Sequence, residues 1–148
     1  MAAIREASTH WEGPLMGGKG TVSAITSGVF KLLPVSWVTR SEQAANGQTS
    51  PEELVAAAHS ACFSMALSGA LARANTPPTA LDVTAKVTFD RTDAGFRVTS
   101  SELTVVGKVP GIDQAAFEKA AEGAKDGCPI SQALKGNVRL SVKAKLAS

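Results

Sequence analysis

Two cysteines are the residues of this chain with the most distinctive chemistry, and their sequence surroundings differ. Cys128 directly precedes Pro129 and therefore caps a short helix, where free N–H groups and the helix dipole favour a thiolate. Cys62 lies in a long apolar segment, which raises a thiol pKa above its free value of about 8.5. The dipole argument alone makes Cys128 the nucleophile, whereas Cys62 needs a neighbouring cation.

Arg40 is the natural source of that cation, because a guanidinium stays charged when it is partly buried. Glu52 is able to hold the guanidinium through a bidentate pair. Glu52 and Cys62 are ten residues apart on one predicted helix, which separates them by about 15 Å along its axis. They cannot share a site within one chain. We therefore expect Glu52 to reach the arginine beside Cys62 from the other subunit of a two-fold dimer.

Each of these residues also has an ordinary structural interpretation. A cysteine on an alanine-rich helix commonly serves as packing, and Arg40 is equally a surface arginine. Glu52 in the first helical turn favours the dipole without further function. His59 precedes Cys62 by one helical turn on the same face, so it is either a proton donor or a hydrogen-bonded core histidine.

Metal and nucleotide chemistry have weak support in the sequence. His59, Cys62 and Cys128 are three potential zinc ligands, but they lack CxxC or HExxH spacing, and His10 is remote in sequence. GxGxxG, GxxxxGK[ST] and GxSxG motifs are absent, which disfavours dinucleotide, P-loop and hydrolase chemistry. We expect neither a metal nor a cofactor.

The segment from Ser50 to Ala72 is predicted to be the helix that carries Cys62. Ser50 is an N-cap candidate, Pro51 suits the first helical position and Glu53 completes a capping box. The following residues are apolar or small nearly all the way round, which predicts a helix enclosed by other elements. Pro77 and Pro78 end it.

The remaining elements are predicted to be strands and two further helices. Strands at 21–26 and 29–33 flank a Ser27-Gly28 hairpin turn, and a strand at 81–90 pairs with a returning strand that bulges near Ser100. A helix capped by Asp113, a short helix at 129–135 and a strand at 138–146 complete the chain. This order predicts one α+β domain over residues 1–148, with mainly antiparallel sheets around the long buried central helix.

Composition excludes several other classes of protein. The 148 residues are 44% hydrophobic and 19% charged, as in a globular domain, and the net charge of +2 indicates neither nucleic acid nor an anionic membrane as partner. His59, several serines and a run of alanines argue against a membrane span for the central helix. The charged start without an apolar core is not a secretory signal, so we expect a cytoplasmic protein.

Several motifs together resemble one known family. SPEELVAAAHSACFSMAL and GCPISQAL are similar to the first- and second-cysteine motifs of the osmotically inducible protein C and organic hydroperoxide resistance (OsmC/Ohr) family. THWEG, GKGTVS, VTRSE, VPGID and NVRLSV extend the resemblance to the OsmC branch over essentially the whole chain, in the same order.

The resemblance implies an OsmC-like fold, an intertwined homodimer with sites at the subunit interface, and a thiol peroxidase that acts on organic hydroperoxides in the oxidative stress response. It implies that Cys62 is the peroxidatic cysteine, Cys128 the resolving cysteine, Arg40 the activator of the thiolate and Glu52 the arginine's partner. In the Ohr branch the arginine lies in the amino-terminal strands instead. Cys62 would form a sulfenic acid and then a disulfide with Cys128, which an external dithiol of the lipoyl type would reduce.

Apolar side chains near the cysteine, namely Phe63, Met65 and Trp37, are expected to favour alkyl or lipid hydroperoxides over hydrogen peroxide. The alternative from another class is a non-catalytic dimer on the same scaffold that binds a hydrophobic ligand or senses redox state. Turnover separates these alternatives, because a sensor is oxidised once whereas an enzyme cycles with a dithiol. A zinc protein is a third alternative.

Overall fold

A computed structural model describes residues 1–42 and 44–147 of the chain. The chain forms two compact units, Met1–Leu54 and Val55–Ser148, and the boundary between them falls inside a long helix. A single domain over residues 1–148 stays a prediction.

The first unit contains a three-stranded antiparallel sheet in the order β1-β2-β3, formed by Ala7–Glu12, Lys19–Ala24 and Leu33–Ser36. β2 and β3 are consecutive and antiparallel, as predicted, but the predicted two-residue turn at Ser27-Gly28 is wrong, since the eight residues 25–32 form the loop between them. Val29 and Leu32 are exposed, and Leu32 has a φ of 54°, which is incompatible with an extended strand. β1 and β2 are joined by the six residues 13–18.

A short helix, α1 (Trp37–Ser41), follows β3 and carries Arg40 in its last turn. Its start is fixed by a capping box in which the Ser36 side chain accepts from the Thr39 N–H and the Thr39 hydroxyl accepts from the Ser36 N–H. This helix was not predicted from the sequence. The Ser36 cap therefore fixes where α1 begins, and with it the position of Arg40 in the last turn.

The long helix, α2 (Pro51–Arg73), begins and ends close to the predicted positions. The Ser50 hydroxyl accepts from the Glu53 N–H at 3.2 Å, which confirms the predicted N-cap. The Glu53 carboxylate does not complete the predicted capping box but accepts from the Thr49 hydroxyl at 2.6 Å.

The second unit contains a sheet in the order β4-β5-β6, formed by Ala80–Thr92, Gly95–Lys108 and Arg139–Leu146. β4 and β5 are antiparallel, whereas β5 and β6 are parallel and are joined through α3 (Gln114–Gly127) and α4 (Pro129–Leu134). Asp113 caps α3 as predicted, accepting from the Ala116 N–H at 2.8 Å. These elements confirm the α+β class.

A bulge in β5 confirms the predicted change of side-chain phase. Thr88 pairs with Ser100 and Phe89 with Val98, so Thr99 is the extra residue. Beyond the bulge, Ser101, Leu103 and Val105 point into the core. The bulge thus turns Ser101 towards the interior of the unit.

The core of the second unit lies between α2, β5 and α3. Its α2 side is a stripe of buried residues one turn apart, His59, Phe63, Leu67 and Leu71. The opposite face of α2 is open in the single chain, and Met65 is 74% exposed. The enclosure that the sequence predicts for this helix is therefore not supplied by one chain.

Candidate active site

The two cysteines, 66 residues apart in sequence, meet in the second unit, with their sulfur atoms 2.9 Å apart. Both are free thiols, because a disulfide would bring the sulfurs to about 2.05 Å. Cys62 is partly exposed on α2, whereas Cys128 is completely buried at the junction of α3 and α4. The Cys128 N–H donates to the Ala124 carbonyl at 2.9 Å, which fixes the cysteine at the end of α3 and the start of α4.

The two thiols have opposite acid–base tendencies within the chain. Burial raises the pKa of Cys62, and the neighbouring Cys128 raises it further. Burial also tends to raise the pKa of Cys128, but hydrogen bonds from Cys62, from the Ser131 N–H and hydroxyl and from the Ile130 N–H outweigh it and lower that pKa. Either sulfur can hold the proton between them. Both directions confirm the sequence-based expectation, so Cys128 is the more acidic thiol of the single chain.

His59 is completely buried between β5 and α4. Its Nδ1 lies 2.7 Å from the Ser101 hydroxyl and its Nε2 lies 2.8 Å from the Ser131 hydroxyl. Burial lowers the pKa of His59, so the ring is neutral at physiological pH. Of the two interpretations of His59, this geometry corresponds to the hydrogen-bonded core histidine, and both ring nitrogens are already engaged.

Arg40 and Glu52 form an ion pair within the first unit, with Arg40 Nε donating to Glu52 Oε1 at 2.9 Å. The Glu52 side chain is 9% exposed and the Arg40 side chain 35% exposed. The sequence predicts this pairing and expects Glu52 to come from the subunit opposite Cys62. In the structure, the arginine and the carboxylate that it binds belong to the same chain. An origin of Glu52 in the subunit opposite Cys62 stays a prediction.

An apolar cleft of about 300 Å³ lies beside Arg40 in the same unit. Trp11, Leu15, Val35 and Trp37 contribute to its walls. Trp37 thus lines an apolar cleft of the first unit, and its expected place beside Cys62 stays a prediction. Phe63 is different, since it is fully buried in the core of the second unit and is not available to line a pocket.

His10 lies on β1, where its Nε2 is 3.3 Å from Glu12 Oε1 and both side chains are largely exposed. His10 belongs to the first unit, whereas both thiols belong to the second. Within residues 1–42 and 44–147, no three His, Cys, Asp or Glu side chains are grouped so as to hold a metal ion.

Ser101 and Ser131 are the residues of this site that sequence reasoning missed. Ser131 is the third residue of α4, the helix that Cys128 caps. The N–H at that position of a helix points towards the cap residue, so the sequence contains a signal for its contact with Cys128. For Ser101, the signal in the sequence is the predicted bulge, which turns the Ser101 side chain into the core. Neither pattern indicates a histidine partner, because His59 lies 42 residues from Ser101 and 72 from Ser131.

Comparisons with known proteins point to one family. The family model "OsmC-like protein" matches residues 44–143. The chain is 46% identical over 145 residues to "Peroxiredoxin OsmC" of Escherichia coli (strain K12), covering 98% of this chain and 99% of that protein. It is 32% identical over 97 residues to "Organic hydroperoxide resistance protein OhrA" of Bacillus subtilis (strain 168), covering 64% and 66% of the two chains. The crystal structure of an organic hydroperoxide resistance protein from Elizabethkingia anophelis is similar, with a TM-score of 0.77 and 26% identity over 99% of this chain and 100% of that one.

Proposed function

This chain belongs to the OsmC-like protein family, and we propose that it is a thiol-dependent peroxidase that reduces organic hydroperoxides to alcohols. The observation that carries the proposal is the pair of free thiols 2.9 Å apart. A sulfenic acid formed on one sulfur has the second thiol already beside it. Relatives named for peroxiredoxin activity and organic hydroperoxide resistance support the same class of reaction.

In the proposed reaction, the Cys62 thiolate attacks the terminal peroxide oxygen. The O–O bond breaks, the alkoxide takes up a proton and leaves as an alcohol, and Cys62 becomes a sulfenic acid. Cys128 then attacks the Cys62 sulfur, the S–O bond breaks and water leaves, which gives a Cys62–Cys128 disulfide. Cys62 is given the first role because it is the more accessible thiol, whereas Cys128 is fully buried.

Cys62 requires a cation for this role, because its pKa is raised within the single chain. The proposal assigns that task to Arg40, held by Glu52. Glu52 and Cys62 lie about 15 Å apart along one helix, so the Arg40–Glu52 pair is proposed to serve Cys62 of a second subunit. The exposed apolar face of α2, including Met65, supports a homodimer that covers this helix.

The apolar cleft beside Arg40 supports an organic substrate. A hydroperoxide whose peroxide group meets the guanidinium would place its alkyl group against Trp11 and Trp37, where burial favours binding by about 25 cal/mol per Å² of apolar surface. Hydrogen peroxide has no such group. The proposed reductant is a dithiol of the lipoyl type, and the proposed location is the cytoplasm.

The chemical roles are tested by adding one equivalent of cumene hydroperoxide to the reduced protein, followed by intact mass and peptide mapping. We expect a Cys62–Cys128 disulfide in the wild type and a trapped sulfenic acid on Cys62 in Cys128→Ser. Oxidation of Cys128 with Cys62 left reduced would contradict the assigned roles. Repeated turnover with dihydrolipoamide separates an enzyme from a sensor that is oxidised once.

The shared site is tested by mixing subunits of Arg40→Met and Cys62→Ser. Each variant alone is expected to lose nearly all activity. A mixed dimer, however, combines Cys62 of one chain with Arg40 of the other and restores one complete site. If Arg40 acted on Cys62 of its own chain, every site in the mixture would remain defective and no activity would return.

A further inference from the structure

The indole ring of Trp11 lies over the neighbouring strand of its sheet. Trp11 on β1 is paired with Gly20 on β2, and Gly18 directly precedes β2. A Cβ atom on Gly20 would lie 2.8 Å from Trp11 Cε3, and one on Gly18 would lie 2.7 Å from Trp11 Cζ2, whereas real Cβ contacts are essentially never shorter than 3.0 Å. Cε3 and Cζ2 are opposite corners of the six-membered ring. That ring therefore spans both glycines.

These two glycines, which we call the glycine seat, allow the ring to lie this close to the strand. Residues two apart on a strand point to the same face, so side chains at both positions would stand beneath the ring and lift it away. A glycine in a strand often marks a close approach by another group. The glycine seat thus holds one side of the Trp11 ring against β2.

A hydrogen bond fixes the ring at a second point. Trp11 Nε1–H donates to the Gly13 carbonyl oxygen at 2.9 Å. Gly13 has a φ of 84°, a left-handed conformation that glycine adopts readily, and the turn after β1 thereby brings this carbonyl to the edge of the indole. Trp11 nevertheless remains 39% exposed. The ring is therefore held in place and still accessible to a ligand.

We propose that Trp11 is a specificity-determining residue of the apolar cleft, and that its seated ring binds the organic group of the hydroperoxide. This inference rests on the proposed peroxidase function. Trp11 and Arg40 line the same cleft of about 300 Å³, so a peroxide group at the guanidinium places its organic group in the space that the ring borders. The class of substrate is a hydroperoxide with an aryl or other bulky apolar group.

Two properties of the ring favour this role. Because the ring is held in place before a ligand arrives, little side-chain entropy is lost on binding. Aromatic rings also attract aryl groups by more than the buried area alone provides. Hydrogen peroxide gains from neither property. A tryptophan that only covered β2 would stabilise the sheet but would not distinguish peroxides by their organic group.

The first test measures binding and needs no turnover. The chain contains two tryptophans, so a nitrogen-15 correlation spectrum of the reduced wild type shows two indole N–H signals, and Trp11→Phe identifies the signal of Trp11. The probe is 2-phenyl-2-propanol, the alcohol that cumene hydroperoxide yields, and tert-butanol is the smaller comparison. We expect a saturable shift of the Trp11 signal with the phenyl alcohol at concentrations where tert-butanol has no effect. A Trp11 signal that stays in place, or that shifts equally with both alcohols, would overturn the proposal.

The second test measures steady-state kinetics of Trp11→Ala with three peroxides. We expect the KM for cumene hydroperoxide to rise about tenfold with little change in kcat, because the lost contact binds the ground state and the transition state alike. The KM for tert-butyl hydroperoxide should rise less, and kcat/KM for hydrogen peroxide should not change. Val29→Ala is the control, since Val29 is an apolar residue of the same unit that is 79% exposed and does not line the cleft. An equal loss with all three peroxides would mark Trp11 as structural and overturn the proposal.

The tests change Trp11 and not the glycine seat, because a Cβ atom on Gly20 would also lie 2.7 Å from the His10 carbonyl oxygen and disturb the strand pairing. Trp11→Phe keeps a smaller aromatic ring, and we expect it to raise the KM for cumene hydroperoxide about threefold, so the proposal stays testable if Trp11→Ala does not fold. Absence of turnover with every peroxide would refute the proposed function, and the binding measurement would still decide this inference. Absence of binding would refute this inference and leave the mass-spectrometric assignment of the two thiols intact.

Discussion

The Arg40–Glu52 pair makes a quantitative prediction for the substitution Glu52→Gln. Glutamine keeps an oxygen that can accept from Arg40 Nε, so the substitution removes the charge but not the hydrogen bond seen at 2.9 Å. The guanidinium keeps its charge, so the bond that remains is still a hydrogen bond to a charged group, and the loss is the attraction between the two opposite charges. For unit charges about 4 Å apart, that attraction is about 1 kcal/mol in water and about 4 kcal/mol at the effective dielectric constant of a protein surface. Because the Arg40 side chain is 35% exposed and thus partly screened by water, we expect a loss near the lower value.

Thermal unfolding at fixed protein concentration measures this loss. For a chain of this size, 1 kcal/mol lowers the melting temperature by about 2–4 °C. Glu53→Gln is the matched control, since it removes the neighbouring first-turn carboxylate, which is exposed and accepts from the Thr49 hydroxyl. Both substitutions weaken the favourable interaction with the helix dipole by the same amount. Equal melting temperatures for the two variants would refute the reasoning that the Arg40 pair stabilises the first unit.

Two further predictions concern the second unit. Gly107→Ala places a methyl group against the Phe117 ring and 3.2 Å from Leu81 Cδ2, so we expect urea unfolding to show a free energy of unfolding lower by about 1–3 kcal/mol. Gly123→Ala in the open middle of α3 should instead raise the free energy of unfolding by about 0.5–1 kcal/mol. Equal effects of the two substitutions would contradict this packing. Because the pKa of His59 is lowered in the folded chain, this side chain takes up a proton at a higher pH in the unfolded chain than in the folded one. His59 therefore lowers the free energy of unfolding as the pH falls below about 6.5, and it has no such effect above that pH. Melting temperatures at about pH 7.5 and 5.5 should therefore differ less in His59→Gln than in the wild type, and an equal difference in the two proteins would contradict this prediction.

Local signals in the sequence predict much of the framework of the site. The Ser50 and Asp113 caps start helices where expected, because a side chain and an N–H two or three residues away determine each cap. The change of phase in β5 predicts a bulge near Ser100, and the extra residue is the adjacent Thr99. The directions of the pKa shifts of the two thiols agree with their local positions, but burial, which raises the pKa of Cys128, is outweighed mainly by the contact with Cys62, which is distant in sequence, and then by N–H groups at the helix cap.

Features without a local signal were missed. β1 is exposed at every residue, so it has no alternating pattern for a reader of the sequence to detect. α1 is five residues long, too short for periodicity, and is defined by its Ser36 cap alone. The partners of His59 come from β5 and α4, and only the packed second unit brings them to the ring.

The separation of the two cysteines along the chain has a consequence for folding. They are 66 positions apart in sequence and in contact in the folded unit. Closing a loop of that length in a disordered chain costs about 4 kcal/mol of conformational entropy. In the folded unit, α2 and the α3–α4 junction already hold the sulfurs together. The two thiols can therefore act as an efficient intramolecular pair only in a folded chain, and stress that unfolds the protein also separates its reactive sulfurs.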